Sequence, residues 1–182
     1  MNNVVLKVLA DNSDKDIKNV QVVNDEAHRL SIYQRSRLIT SHRESAQAVA
    51  EVIRRGEAVA LDCEGINLST PAKGQVTLVQ LGLMSGQALI LDVLTDSQIW
   101  EEGQLKAVLQ CNHVVKVLHD CRNISAVLKV QHQVDICSVF DAQVSRLLMK
   151  SVPTSFRSSR IFSTFTHFYP GILLCCMYLT CI

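Results

Sequence analysis

Three apolar, β-branched segments follow one another between residues 58 and 93, separated only by short turn sequences. They read "AVALDC", "KGQVTLVQLGL" and "GQALILDV". Lys73-Gly74 and Ser85-Gly86 supply turn residues before the second and third segments. Short β-rich runs bounded by glycine-containing turns are typical of neighbouring antiparallel strands. The sequence therefore predicts a three-stranded antiparallel meander at the centre of the fold.

Helical and strand-like patterns alternate on both sides of this meander. A short strand ending at Thr40 precedes a helix that opens with a capping-box pattern, Ser41 to Glu44, and stops before Gly56. After the meander, helices and strands alternate in the order "EEGQLKAVLQC", "HVVKVLHD", "CRNISAVLKV", "VDICSVFD" and "DAQVSRLLMK". A meander followed by βαβα units predicts an α/β domain with a mixed sheet flanked by helices.

The composition divides the chain into three parts. The domain spans residues 38–150, and residues 1–37 form an N-terminal extension of uncertain order. Residues 151–182 contain no Asp or Glu, but four of the five Phe and three of the seven Cys. We interpret this apolar tail as non-homologous sequence, such as a retained intron or a shifted frame; a genuine terminal hairpin is the alternative. Its last apolar run is shorter than the roughly twenty residues of a membrane-spanning helix.

Charge and cysteine content exclude several classes of protein. The net charge of +1 provides no broad attraction to nucleic acid, so any such binding must come from a local site. The cysteines are scattered and lack paired C-x-x-C spacing, which argues against zinc and a disulfide framework. The N-terminus lacks the pattern of a signal peptide. These features predict a reducing compartment, the cytoplasm or nucleus, and no membrane association.

Two carboxylates interrupt the first strand of the meander. Asp62 and Glu64 are separated by Cys63, so a strand directs both acids to one face and the thiol to the other. Paired carboxylates repel each other, and a divalent cation that prefers carboxylate oxygen relieves the repulsion. The alternative is a solvated strand end, because D-x-E alone is a common triplet.

The order of these motifs resembles the 3'-5' exonuclease domain of the ribonuclease D type, in the DEDD superfamily. The matching pieces are "LITS", "VALDCEGINLS", "VTLVQLG", "LILDV", "VVKVLHDCRN" and "FDAQV", which span residues 38–150 in the family order. The resemblance is greatest to exonuclease-domain-containing proteins that include Egalitarian and the piRNA biogenesis exonuclease-domain proteins. It implies a ribonuclease H-like fold, in agreement with the predicted α/β order.

The resemblance implies hydrolysis of phosphodiester bonds with two Mg²⁺ or Mn²⁺ ions held by four carboxylates. Asp62 and Glu64 match the first motif as catalytic, metal-binding residues. Ile124 occupies the position of the second-motif carboxylate, five residues after His119. Asp120 is a candidate replacement, although we expect it to cap the following helix. Asp141 matches a structural segment of the family.

The third motif of the family, a Tyr or His followed four residues later by Asp, has no match. The tail contains tyrosines, Tyr169 and Tyr178, but no Asp. Two of the four carboxylates are therefore present, and we expect an exonuclease site that is impaired or inactive.

Four further residues are candidates for nucleic-acid contact. The resemblance places Gly65 and Asn67 where the backbone meets the substrate nucleotide, although a tight turn explains the glycine nearly as well. Arg122 and Asn123 begin a predicted helix and are suited to phosphate or simply to solvent. His119 lines the cleft or, as we expect, is a hydrogen-bonded histidine at a strand end. Trp100 is isolated and does not form a base-stacking platform with Tyr33.

The sequence leaves three functions open. The first is an exonuclease that trims the 3' ends of single-stranded RNA or DNA. The second is a non-catalytic scaffold that binds RNA, a homodimer copy, or protein partners of RNA-processing complexes. The third is a truncated product without a function of its own. The missing carboxylates favour the second or third function, whereas the resemblance makes nucleic-acid processing the origin of the fold.

Overall fold

A six-stranded mixed sheet organises the part of the chain that the computed structural model describes, residues 34–145. The order across the sheet is β1-β4-β3-β2-β5-β6. The strands are β1 (Ser36–Ile39), β2 (Val59–Ile66), β3 (Gln75–Gly82), β4 (Ala88–Asp92), β5 (Lys116–Leu118) and β6 (Val139–Asp141). The helices are α1 (His42–Arg55), α2 (Leu105–Gln110) and α3 (Cys121–His132), with a 3-10 turn at Ser97–Ile99.

The predicted meander is confirmed. Strands β2 and β3 pair antiparallel, with Asp62 opposite Gln80, and β3 pairs antiparallel with β4. Strand β5 adds parallel to β2, with Val59 opposite Lys116, which makes the sheet mixed as the sequence predicted. The outer strands also pair parallel, β1 with β4 and β6 with β5. The central antiparallel strands and the parallel crossover strands therefore share one sheet.

Helix α1 begins and ends where the sequence predicted. The side chain of Ser41 accepts a hydrogen bond from the Glu44 N–H at 3.4 Å, which satisfies one free donor of the first turn. At the other end, Gly56 adopts φ 62° and its N–H donates to the Val52 carbonyl. Only glycine enters this left-handed conformation without strain, so the predicted stop signal is the observed one.

Two predicted elements are shorter than expected. The helix predicted from Glu101 begins only at Leu105, because Gln104 adopts φ 60°, outside the range of a right-handed helix. Just before it, Gly103 packs tightly against an earlier turn: a Cβ there would lie 2.6 Å from the Ile99 backbone. The Gly103 carbonyl accepts a hydrogen bond from the Ser45 hydroxyl, which anchors this turn on α1. The strand predicted over residues 134–141 comprises only β6, since Ser138 adopts φ 52°, incompatible with an extended strand.

The two faces of the sheet differ in how they are covered. The main core lies on the face that packs against the helices and includes Val49 of α1, Leu105 of α2 and Val127 of α3. A smaller cluster of Ala58, Ala60 and Val117 lies on the other face, and no residue from α1, α2 or α3 belongs to it. Because side chains alternate along a strand, this second face also carries residues 62 and 64.

Two predicted segments lie wholly or largely outside residues 34–145. One is the N-terminal extension, residues 1–37, of which only residues 34–37 are described, the last two of them in β1. The other is the apolar tail, residues 151–182. Tyr33, Tyr169 and Tyr178 also lie outside this range. None of the helices within the described range is long and apolar enough to cross a membrane.

Candidate functional site

The two carboxylates of β2 lie on one face of the sheet, and Cys63 between them is buried on the other with 5% exposure. Burial raises the pKa of Asp62, opposed by a hydrogen bond from the Cys63 N–H at 2.9 Å and by the charge of His119. Burial also raises the pKa of Glu64, and the negative charge of Asp62 raises it further. The predicted juxtaposition of Asp62 and Glu64 is therefore present, and each carboxylate is partly removed from water.

His119 lies near Asp62, and the expectation of a hydrogen-bonded histidine at a strand end stays a prediction. The side chain is exposed and makes no hydrogen bond to any residue in the range 34–145. The residue directly follows Leu118, the last residue of β5, and its charge interacts with that of Asp62. Strand β5 runs parallel to β2, with Ala60 opposite Val117. Asp62 and His119 therefore follow at the same level of the two neighbouring strands.

Gly65 is required by the fold itself. The register between β2 and β3 shifts at Glu64 and Gly65, which brings the Gln75 backbone very close. A Cβ at residue 65 would lie 2.0 Å from the Gln75 carbonyl oxygen, a separation that no side chain tolerates. The extra residue of this bulge is Thr77 on β3, so the bulge bends β3 opposite Glu64 and Gly65. The close approach accounts for the glycine without a contribution from substrate.

Asn67 occupies the turn that follows β2. It adopts φ 51°, a left-handed conformation that Asn tolerates better than most residues, and its carbonyl accepts the Thr70 N–H at 2.9 Å. The side chain is exposed. Contact of Gly65 and Asn67 with a nucleotide remains a prediction.

Asp120 was expected to cap α3, and this expectation is wrong. The residue adopts φ 59° and its side chain makes no capping hydrogen bond. Both carboxylate oxygens instead bind the Arg122 guanidinium, at 2.7 and 2.8 Å, and this pairing lowers the pKa of Asp120. The charge of Arg122 is therefore already matched by a carboxylate, and a phosphate has to compete with Asp120 for it.

Asp141 caps α3 from a neighbouring strand instead. Its carboxylate accepts the backbone N–H groups of Asp120 and Cys121, at 3.3 and 2.9 Å, and those of Gln143 and Val144, at 2.8 and 3.2 Å. Although burial raises the pKa of Asp141, these hydrogen bonds lower it to about 2. The carboxylate is thus occupied by four donors, which gives it a structural role.

The first turn of α3 provides no further carboxylate. Arg122 and Asn123 are exposed, whereas Ile124 is half-buried and packs against the main core. An isoleucine side chain has no atom that can coordinate a cation. An apolar side chain that packs against the core therefore occupies the position of the second-motif carboxylate that the resemblance implies.

Gln80 is a residue of this site that was not predicted from the sequence. It lies opposite Asp62 on β3, on the same face of the sheet, and only 2% of its surface is exposed. Its Oε1 atom has no hydrogen-bond partner. The signal was present in "VTLVQLG", where one amide side chain interrupts an otherwise apolar strand.

The donor set of this face suits a hard cation. Within residues 34–145, no three His, Cys, Asp or Glu side chains lie close enough together to hold a metal ion. Asp62 and Glu64 provide carboxylate oxygens and Gln80 adds an amide oxygen, the ligand type that Mg²⁺ and Mn²⁺ prefer. The described residues therefore fit one weakly held divalent cation and fall short of the four carboxylates of a two-metal site.

Trp100 lies away from this site. Its side chain is buried and stacks on His132 of α3, with ring centroids 3.8 Å apart. As predicted, it is not available as a platform for bases.

The six-stranded mixed sheet with its helices has the ribonuclease D exonuclease fold. The structure of Trypanosoma brucei RNase D in complex with RNA U12 superposes with a TM-score of 0.56 at 23% identity, over 74% of this chain and 47% of that one. This likeness shows the fold. A family model described as 3'-5' exonuclease matches residues 37–153. The chain belongs to this 3'-5' exonuclease family.

The chain is also similar in sequence to piRNA biogenesis and Egalitarian proteins. It is 44% identical to piRNA biogenesis protein EXD1 of Danio rerio over 45 residues, 25% of this chain. It is 30% identical to the Egalitarian protein homolog of Caenorhabditis elegans over 96 residues, 52% of this chain. The aligned segments span only 12% and 16% of those two proteins. The predicted resemblance to the exonuclease-domain subgroup is confirmed as distant homology.

Proposed function

We propose that this chain binds the 3' end of single-stranded RNA in a divalent-cation-dependent manner and hydrolyses it weakly or not at all. The observation that carries the proposal is the environment of residue 124. Asp62 and Glu64 lie together on one face of the sheet, but Ile124 packs against the core where the family resemblance requires a carboxylate. Family membership supports a nucleic-acid ligand, and the missing carboxylate argues against efficient two-metal catalysis.

Asp62 and Glu64 bind the cation in this proposal, which is Mg²⁺ or Mn²⁺. A divalent cation bound there supplies positive charge to a phosphodiester oxygen and, in a complete site, assists its hydrolysis. Both carboxylates are partly buried and repel each other, so the pair gains from a shared positive charge. In this proposal, Gly65 near the end of β2 and Asn67 in the turn that follows contact the backbone of the terminal nucleotide.

We propose RNA as the ligand, and not DNA, because the names of the related proteins refer to RNA. The ribonuclease D structure of matching fold was obtained with RNA U12, and one curated relative is a piRNA biogenesis protein. The net charge of +1 provides no general affinity for the phosphate backbone. Binding is therefore expected to depend on the site and on the cation.

The test is binding of a fluorescently labelled single-stranded RNA, followed by anisotropy with Mn²⁺, with Mg²⁺ and with EDTA. We expect cation-dependent binding by the parent chain, and its loss in Asp62→Asn. Asp135→Asn is the matched control, because Asp135 is an exposed carboxylate paired with Lys129. A labelled single-stranded DNA of the same sequence measures the preference for RNA.

Hydrolysis is measured on the same samples by gel electrophoresis. We expect little or no shortening of the RNA by the parent chain or by Ile124→Asp, because the third motif is absent. Efficient metal-dependent trimming that Asp62→Ala abolishes would show a complete site and contradict the impaired mechanism. Failure to bind either nucleic acid under any condition would instead favour the protein-interaction alternative.

A further inference from the structure

We propose that Gln80 is the third oxygen donor of the cation site formed by Asp62 and Glu64. The inference rests on the cation-binding part of the proposed function and adds a ligand from a different strand. Three observations lead to it: the pairing register, the burial of the amide, and the chemistry of its neighbours.

The register places Gln80 beside the carboxylates. Asp62 and Gln80 are directly opposite each other on antiparallel strands β2 and β3. Side chains of directly opposed residues point to the same face, with Cβ atoms about 4.5–5.5 Å apart. Two side chains of this length readily meet at a common atom above the sheet. Leu78, the residue opposite Glu64, has no polar atom to contribute.

The burial of Gln80 leaves its carbonyl oxygen without a partner. The residue is 2% exposed, and Oε1 is the single buried side-chain nitrogen or oxygen in the described part of the chain that lacks a hydrogen bond. Native proteins rarely leave a buried acceptor unsatisfied, because its desolvation is not compensated. An unsatisfied acceptor therefore indicates that a donor or a positive charge completes the site.

The neighbours of this oxygen favour a cation over another hydrogen-bond donor. Ionised Asp62 and Glu64 are acceptors only, so they cannot donate to Oε1. Three oxygen atoms without a shared proton repel each other, whereas a divalent cation attracts all three. The remaining coordination positions stay open for water or for a phosphate oxygen of RNA. A set of two carboxylates and one amide oxygen also disfavours Zn²⁺, which prefers nitrogen and sulfur ligands.

The test measures Mn²⁺ affinity by electron paramagnetic resonance on the full chain, without RNA. Gln80→Met removes the amide but keeps the length of an unbranched side chain. We expect the variant to bind Mn²⁺ about 10- to 100-fold more weakly than the parent, the loss typical of groups that support a metal site. Gln75→Met is the matched control on the same strand, because the Gln75 side chain is exposed, and its affinity should equal that of the parent.

A second variant keeps the inference testable if Gln80→Met folds poorly. Gln80→Glu places a third carboxylate at the site and should tighten Mn²⁺ binding, an effect that a purely structural glutamine would not produce. Thermal unfolding without metal provides the other readout: Gln80→Met should be at least as stable as the parent, because it removes an unsatisfied acceptor.

The outcomes separate this inference from the proposed function. If Asp62→Asn abolishes Mn²⁺ binding while Gln80→Met and Gln80→Glu leave it unchanged, the carboxylate site exists and the assignment of Gln80 is overturned. If the parent binds no Mn²⁺, or Asp62→Asn binds it as the parent does, the proposed cation site itself fails, and Gln80 with it. A marked loss of metal-free stability in Gln80→Met would show an internal hydrogen bond and overturn the assignment.

Discussion

Replacement of Asp141 by Asn tests how the start of α3 is held in place. One carboxylate on β6 accepts backbone N–H groups from Asp120 and Cys121 and from Gln143 and Val144, which follow β6. Asparagine has the same shape, but its amide nitrogen cannot accept, and it has no charge to strengthen the remaining hydrogen bonds. The variant should therefore loosen the turn between β5 and α3, next to His119.

The magnitude follows from the pKa of Asp141. The native fold lowers it from 3.8 to about 2, a difference of about 1.8 units. At about 1.36 kcal/mol per pKa unit, this lowering corresponds to at most about 2.4 kcal/mol, and solvent screening of the partly exposed carboxylate reduces its contribution to the free energy of unfolding near neutral pH to about 1–2 kcal/mol. Loss of a helix cap costs about 0.5–2 kcal/mol, and this carboxylate serves two chain segments, so the two estimates agree. We expect Asp141→Asn to lose about 1–2 kcal/mol at pH 7.

The pH dependence provides the decisive signature. Because the folded pKa lies below the unfolded value, the contribution is fully present well above pH 3.8 and is lost as pH falls through about 2. By the same linkage, about half of it remains at pH 3. Urea denaturation of the parent and of Asp141→Asn should therefore give stability curves that converge below pH 4. The control is Asp135→Asn, which removes an exposed carboxylate paired with Lys129.

Two results would refute this account of Asp141. Equal stability of the parent and Asp141→Asn at pH 7 would show that the four hydrogen bonds carry no net energy. A stability difference that persists unchanged to pH 2.5 would show that the effect comes from packing and not from the ionised carboxylate.

Three further substitutions test the geometry around the site. Gly65→Ala should destabilise the fold by about 1–3 kcal/mol in thermal unfolding, because its Cβ would collide with the Gln75 carbonyl; an unchanged melting temperature would contradict the observed bulge. Gly56→Ala should cost about 1–2 kcal/mol because φ is 62°, with Gly56→Asn closer to the parent in the same assay. Ile124→Asp should lose about 2 kcal/mol by placing a carboxylate against the main core, and equal stability in urea would mean that this side chain faces water.

Local sequence signals predicted most of the helices and strands and two of the three oxygen donors of the candidate site. The capping box at Ser41 and the stop at Gly56 depend on residues within one helix, and both are observed. The positions of Asp62 and Glu64 follow from the two-residue period of a strand, which the surrounding sequence displays clearly. Elements that depend on distant neighbours were predicted less well, as the short α2 and β6 show.

The capping of α3 shows why local patterns fail at such positions. Asp120 stands directly before the helix, where an Asp usually caps, yet the tertiary structure brings Asp141 to the same N–H groups from 20 residues along the chain. The left-handed backbone of Asp120 turns its own side chain toward Arg122. The choice between two competing carboxylates depends on how β6 pairs with β5, which no local pattern encodes.

The sequence by itself determined the meander, the helix that precedes it and the pair of carboxylates on one strand, because periodicity and capping act over a few residues. Only the tertiary structure decided that Gln80 faces Asp62, that Gly65 has no room for a side chain, and that Asp141 holds the start of α3. Each of these depends on the register between strands or on a contact between distant segments. Register is set by the packing of the whole sheet, since a slip of one residue turns every side chain to the opposite face.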